Sequence, residues 1–317
     1  MTNKMEVTLP VIDTFNAVEQ LEEAHTSLGW EVQYRQLSQG DFEYRALSKE
    51  SSAGISLIRE QLNLKVETLS GGHPNLRPFL IPAKGENIWC NGYSVNDNKF
   101  IMLAPEQPAH IITHGATDAL SLFIKANILS EFSSKLTLLP DKSLMESSAL
   151  VQISHEKMHL LKQMADSILY PATDNLHTGE IALRFIEYIA LLLNDNSPSL
   201  KKTQGIRTVE KLRVLYRSRE YIEAHLDQPI KMAELCHYSS ISLSKLERVF
   251  HSELQMPPLA YIKVRRLNKI RSRLIGNTSL GKTISQLAMD HGFTHLGRFS
   301  AEYYALFGQL PREDRKS

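Results

Sequence analysis

One pattern, written twice, limits what the last third of this chain can fold into. "IKMAELCHYSSISLSKLERVFHSEL" (230–254) and "ISQLAMDHGFTHLGRFSAEYYALFG" (284–308) match with Leu235 and Leu287 52 residues apart, and Ile241 and Phe293 likewise. Each copy reads as a short helix, a turn carrying a small residue (Ser240, Gly292), an apolar residue and a hydroxyl residue (Ser242, Thr294). A second helix with its own apolar face follows. The hydroxyls are expected as N-caps, because a helix start leaves amides without intrahelical partners. Between the copies, "PPLAYIKVRRLNKIRSRLI" (257–275) opens on proline and then keeps a helical pattern, as a connecting rod would.

In the second copy, Phe299, Tyr303 and Leu306 form the apolar face, and His295 and Arg298 fall on the other side. The first copy presents Ser244, Lys245 and Arg248 in the same way. Such residues suit the major groove, where arginine and lysine donate to guanine and hydroxyls and histidine add hydrogen bonds. Two helical units on a fixed connector match consecutive groove segments, which recur about 34 Å apart. Double-stranded DNA is therefore the expected partner. Arg266, with Arg265, Lys269 and Arg271 on the connector, is expected either to touch phosphate or to brace the units.

Charge agrees. The formal net charge is +1, yet from Gly205 onward 19 Lys and Arg face 11 Asp and Glu, a net +8, against −7 for the rest. A basic segment is the electrostatic footprint of a polyanion partner, unless it is only solvated surface.

Residues 30 to about 130 show period-2 alternation instead, in "WEVQYRQL", "GISLIREQLNLKVETLS", "KFIMLA" and "TDALSLFIKA", separated by turn signals such as "SGGHPN" and "NDN". Short strands without intervening helices predict an antiparallel β-barrel or sandwich. Helical periodicity is expected at about 146–170 and 179–194, and the polar, proline-broken "NDNSPSLKKTQG" (194–205) marks a linker, placed at 196–206. The fold class is thus α+β: a β-barrel or sandwich with supporting helices over 1–195, then an all-α domain over 207–317 of two helix-turn-helix units joined by a long helix. No stretch approaches the roughly 18 apolar residues of a membrane span, and the first residues lack a secretory apolar core. Cys90 and Cys236 make no disulfide framework and suit a reducing cytoplasm.

From about residue 215 to 312 the chain resembles the AraC/XylS family of bacterial transcription regulators. The resemblance rests on "IEAHLDQPIKMAEL", "SISLSKLERVFHSELQMPPLAYI" and "ISQLAMDHGFTHLGRFSAEYYALFGQLP", with the closing Phe307, Gly308 and Pro311. It implies base-facing roles for Ser244, Lys245 and Arg248, and for His295, Leu296, Gly297, Arg298 and Ala301. Ala301 stands where many members carry arginine, and Ser239 and Ser240 where an apolar residue and glycine are usual. The resemblance also implies RNA polymerase as a partner and a homodimer. "GWEVQYRQLSQGDFEYRAL" and "IPAKGENIWCNGYSVNDNKFIMLAP" are similar to the cupin-like sensor region of ethanolamine-utilisation-type regulators, which implies a domain for an unknown small-molecule effector or for assembly. Trp30, Tyr34, Arg59, Trp89 and Asn91 are the effector-binding candidates, against a plain core role for the aromatics and an ion pair for Arg59.

"HEKMH" (155–159) stands apart. Two histidines at i and i+4 share a helix face and can bind zinc, with Glu156 as general base and Glu180 as a third ligand. Lys157 within that turn opposes a cation, and both histidines are as well explained as solvated residues. "HIITH" (His110, His114) lacks the His-x-His arrangement of metal-binding cupins. No phosphate loop, dinucleotide glycine motif or nucleophile elbow occurs. The chain is accordingly expected to be a one-component DNA-binding regulator, an effector-responsive activator, with no cofactor, no metal and no catalysis. The alternatives are an N-terminal domain that binds a protein rather than a metabolite, and a zinc-dependent hydrolase.

Overall fold

The computed structural model describes residues 11–27, 29–51, 53–72, 75–84, 88–135, 148–171, 175–200, 206–276 and 281–315. The chain forms two compact units that interleave in sequence. The first takes Met1–Phe15, Tyr44–Asn63 and Leu69–Thr203; the second takes Asn16–Glu43, Leu64–Thr68 and Gln204–Ser317.

In the first unit seven strands lie in the order β1 (Val11–Phe15), β3 (Tyr44–Ser51), β4 (Ile55–Leu62), β11 (Thr117–Lys125), β6 (Leu76–Pro82), β9 (Lys99–Met102) and β12 (Ala149–Gln152). Every pair is antiparallel, with Leu122 opposite both Leu57 and Phe79. A shorter antiparallel set joins β10 (Ala109–Thr113), β7 (Ile88–Cys90) and β8 (Tyr93–Val95). Alternation explains the apolar runs. Phe79, Ile81, Phe100, Met102 and Leu122 belong to a core cluster with the helices α3 (His155–Leu169) and α4 (Asn175–Leu200), through Met158, Leu161, Phe185 and Ile189. Their chain neighbours Leu80 and Ile101 belong to a second cluster with Ile88, Cys90, Tyr93 and Val95. A sheet buried on both faces needs apolar residues at consecutive positions, and these strands supply them. The helix α2 (Ala126–Lys135) follows β11 directly.

Three expectations change. Residues 149–152, read as helical, form β12, because Ala149 and Val151 alternate inward and pair with Met102 and Phe100. The stretch read as a linker begins inside α4, which runs to Leu200, and residues 201–205 of it lie outside the described residues. Residues 30–43, read as the first barrel strands, belong to the second unit.

The second unit holds α5 (Ile206–Ala224), α6 (Met232–Ser239), α7 (Leu243–Leu254), α8 (Pro258–Ile275), α9 (Ile284–Asp290), α10 (Leu296–Phe307) and α11 (Pro311–Asp314). To these the early sequence adds α1 (Val18–Ser27), β2 (Val32–Gln36) and the first residues of β5 (Val66–Ser70). β2 and β5 are neighbours, and the Leu37 N–H donates to the Lys65 carbonyl at 2.8 Å.

What holds the early strap to the late helices is polar as much as apolar. Asn268 on α8 uses its side-chain amide as a strand uses its backbone: Oδ1 accepts from the Gln36 N–H at 3.1 Å and Nδ2 donates to the Gln36 carbonyl at 2.9 Å. The Gln36 side chain donates to the carbonyls of Ser38, Gly40 and Leu306. Tyr261 on α8 donates its hydroxyl to Glu67 at 2.9 Å, and Arg219 Nε lies 3.3 Å from the same carboxylate. All four of Gln36, Glu67, Tyr261 and Asn268 are buried. Such groups are costly to bury unless partnered, so these partners fix the strap's register on α8.

Candidate nucleic-acid interface

The two repeated segments fold as two helix pairs, α6–α7 and α9–α10, and their turns close alike. The Ile241 N–H donates to the Cys236 carbonyl at 3.0 Å, and the Phe293 N–H to the Ala288 carbonyl at 3.0 Å. This bond, reaching back five residues, requires a left-handed residue between the helices. Gly292 provides it at φ 80°, and Ser240 is forced into it at φ 58°. A side chain in that region costs about 1–2 kcal/mol. Ser240→Gly is therefore expected to stabilise the second unit by about 0.5–1 kcal/mol, once glycine's extra freedom in the unfolded chain is subtracted. Urea denaturation of the full chain checks this. Gly292 has no such latitude: a Cβ there would stand 2.8 Å from Arg266 Nη1.

Ser242 caps α7, its Oγ accepting from the Lys245 N–H at 3.4 Å. The matching expectation for Thr294 is corrected, since α10 starts one residue later with His295 at the cap and no side-chain cap bond. The second helices are seated by buried faces: Leu246, Val249 and Phe250 on α7, and Phe299, Tyr303, Leu306 and Phe307 on α10. Phe299 stacks tilted on Phe293 at 5.1 Å and edge-on to Tyr303 at 5.7 Å.

The opposite faces carry the sequence-predicted residues. Ser244 and Arg248 are exposed and Lys245 is half-buried on α7; His295, Gly297, Arg298 and Ala301 are exposed and Leu296 is half-buried on α10. Two cations are already engaged. Lys245 pairs with Glu210 on α5, and Arg298 Nε donates to Glu302 Oε1 at 3.0 Å. The Lys245 contact pulls the Glu210 carboxyl below its ordinary pKa.

The connector arginines divide. Arg266 donates from Nε to the Leu226 carbonyl at 3.1 Å and from Nη2 to the Gln228 carbonyl at 2.6 Å, which commits it to bracing the chain after α5. Arg265 is buried and donates to Glu223 at 2.6 Å. Arg271 is buried 3.2 Å from Asp314, with its guanidinium over the Phe307 ring at 4.5 Å. Lys269 is exposed. Part of the basic excess is thus interior structure, which a count of charges does not reveal.

The effector candidates divide between the two units. Trp30 and Tyr34 belong to the second unit; Arg59, Trp89 and Asn91 belong to the first. Arg59 is taken by carboxylates, with Nε and Nη2 donating to the two oxygens of Asp118 at 2.9 Å each and Nη1 to Asp166 at 3.1 Å. Asn91 occupies a left-handed turn (φ 48°), donates to the Pro108 carbonyl and accepts from the His110 N–H. Trp89 is half-buried on β7 opposite Ser94 and Ile112. Tyr34 is buried, and Trp30 is half-buried.

Burial raises the Asp118 carboxyl, but hydrogen bonds from Arg59 and Gln61 outweigh it and hold the group below its ordinary pKa. A depressed carboxyl stabilises the fold above its unfolded pKa and loses that contribution as pH falls through the folded value. Asp118→Asn is expected to lower the melting temperature at neutral pH and to reduce the further loss between about pH 5 and pH 3. Thermal melts across that range check both.

In HEKMH, α3 turns Met158 and Leu161 inward and leaves His155, Glu156 and His159 exposed, while Lys157 pairs with Asp195 at 2.8 Å. Among the described residues, no three of His, Cys, Asp or Glu stand as a metal set. His110 is buried on β10. Cys90 is buried, which pushes its thiol up to about 12. Cys236 is half-buried beside the first turn, and both cysteines are free thiols. No helix among the described residues is long and apolar enough to cross a membrane.

A family model described as a helix-turn-helix domain matches residues 235–317. "XylDLEGF operon transcriptional activator 3" of Pseudomonas putida is 29% identical over 143 residues, 45% of this chain and 40% of that protein. A "Probable thc operon regulatory protein" of Rhodococcus erythropolis is 32% identical over 98 residues, 31% of this chain and 30% of its own length. The chain therefore spans well under two thirds of these two relatives. A solved regulator of Chromobacterium violaceum, titled as one of the AraC-type DNA-binding domain-containing proteins, is 30% identical, with 32% of this chain and 89% of that one covered at a TM-score of 0.31.

Proposed function

In a chain whose C-terminal residues carry a helix-turn-helix domain of the AraC/XylS type, we propose a one-component, sequence-specific DNA-binding transcription regulator. The observation on which this rests is the duplicated helix pair, each second helix seated by buried aromatics and aliphatics and presenting Ser244, Lys245 and Arg248, or His295 and Arg298, to solvent. Under this reading α8 holds the two pairs at a fixed separation, and α7 and α10 read successive major-groove segments. Action as an activator is proposed after the Pseudomonas putida relative, which is named a transcriptional activator, and recruitment of RNA polymerase after the AraC/XylS resemblance.

The test is selection of bound sequences from a random duplex pool by the full chain, with the salt dependence of the winners recorded. Enrichment of a site with two sub-elements about one helical turn apart is the expected result. Only weak, salt-sensitive binding without sequence preference would sink the reading.

For the first unit we propose control of that reader, by a small-molecule effector or by assembly. An effector shifts the active population only by its differential affinity for two states. A specific observation favours assembly. α3 and α4 leave Leu160, Tyr170, Leu183 and Leu191 exposed, and Leu160, Met164 and Ile181 line a groove there. Apolar surface of this kind marks contact sites, and a second copy of this chain is the proposed occupant. Sedimentation of the full chain is expected to return a dimer; a monomer at micromolar concentration would leave control to a ligand.

A further inference from the structure

Glu302 is absent from the set of residues that the sequence placed on the interface, yet it holds one of them. It follows Arg298 by one helical turn on α10 and is mostly shielded, with 20% of its side chain exposed against 75% for Arg298. Its Oε1 accepts from Arg298 Nε at 3.0 Å and, from the neighbouring α8, from Lys263 Nζ at 3.1 Å. The three side chains, with Thr294 and His295, border one groove between α8 and α10.

We propose that Glu302 is a positioning residue for sequence readout, holding the Arg298 guanidinium so that its terminal fork meets a guanine edge. This rests on the reading of α10 as a major-groove helix. The chemistry follows from the shape of the guanidinium, whose five donors form a rigid planar fork. A carboxylate on Nε uses one edge and leaves Nη1 and Nη2, which make no other bond among the described residues, as a parallel pair matched to guanine O6 and N7. An exposed arginine without such a buttress samples many rotamers and reaches phosphate as readily as a base. Lys263 keeps the carboxylate from swinging away and offsets part of its repulsion for DNA. The same carboxylate withholds two cations from the phosphate backbone, so Glu302 trades general affinity for discrimination.

The experiment compares the full-length protein with Glu302→Gln, Glu302→Ala and Arg298→Ala. Affinity is measured for the selected duplex and for a random duplex across a salt series. Glu302→Gln and Glu302→Ala are expected to lower the ratio of specific to random affinity about tenfold, close to 1.4 kcal/mol. Much of that change is a gain on random DNA, with the salt slope of random binding steeper by about one for each cation freed. Arg298→Ala is expected to lower the same ratio without steepening the slope. If Arg298→Ala lowers the ratio but both Glu302 variants leave ratio and slope unchanged, Arg298 reads the base unaided and the positioning role is overturned while the DNA reading stands. If Arg298→Ala leaves the ratio unchanged, Arg298 reads no base and this inference falls, while the DNA reading stands on the selected site itself. Glu302 lies on the surface side of α10, and an unchanged melting temperature in each variant confirms that the comparison is between folded proteins.

Discussion

Glu67→Ala is expected to remove about 3–5 kcal/mol from the unfolding free energy of the second unit, the range found when one partner of a buried ion pair is deleted. Glu67 is fully buried, accepts from the Tyr261 hydroxyl and faces Arg219, which is itself only 8% exposed. Burial works against the Arg219 charge, but Glu67 and Tyr261 sustain it and keep the guanidinium protonated. Burial and the Glu67 charge in turn raise the Tyr261 hydroxyl, so it stays a donor. Without Glu67, one arginine is left charged in the interior and one phenol loses its acceptor. Chemical denaturation followed by circular dichroism measures the cost, and Glu67→Gln is expected to cost less because the amide oxygen still accepts from Tyr261. Unchanged stability in Glu67→Ala would show that the strap is not part of this unit's core.

Phe299→Ala is expected to cost a similar amount, about 3–5 kcal/mol, with a different outcome at the interface. Phe299 is 1% exposed and sits between Phe293 and Tyr303 in the cluster that joins α8, α9 and α10. The first helix pair rests on other residues, Leu235, Leu246 and Phe250. Loss of Phe299 loosens α10 while leaving α7 seated. In nuclease footprinting on the selected duplex, protection is expected to shrink from two sub-elements to one. Equal loss of both would mean that the pairs fold as one cooperative block.

Much of this was legible in the sequence because it is local. The repeat places α6, α7, α9 and α10, the proline at 258 opens α8, and period-2 alternation finds β4, β9 and β11. The apolar stripe Ile181, Phe185, Ile189 and Leu193 locates α4. The exposed positions of Arg248, His295 and Arg298 follow from helical spacing alone. Long-range partners leave no such mark. Nothing near Glu67 announces Tyr261 or Arg219, and nothing in "RRLNKIR" separates the interior Arg265 and Arg271 from the bracing Arg266. Helix starts depend on a single dihedral, so Thr294 and His295 exchange roles at the head of α10. Glu302 has a local signal after all, its four-residue spacing from Arg298, but the share taken by Lys263 is visible only in three dimensions.

The interleaving of the two units has a consequence for how the protein is made. Residues 16–43 and 64–68 leave the ribosome well before Gln204 is added, and at about 5–20 residues per second the interval is on the order of ten seconds. During that time Leu21, Leu37 and Phe42, all buried in the finished second unit, have no helices to cover them. The strands of the first unit are complete by Gln152 and its last helix by Leu200. The second unit therefore cannot close until the segment from Gln204 onward has been added, after the first unit is complete. A nascent chain of this kind exposes an apolar strap for seconds before it can bind its site, which is the interval in which a chaperone would find it.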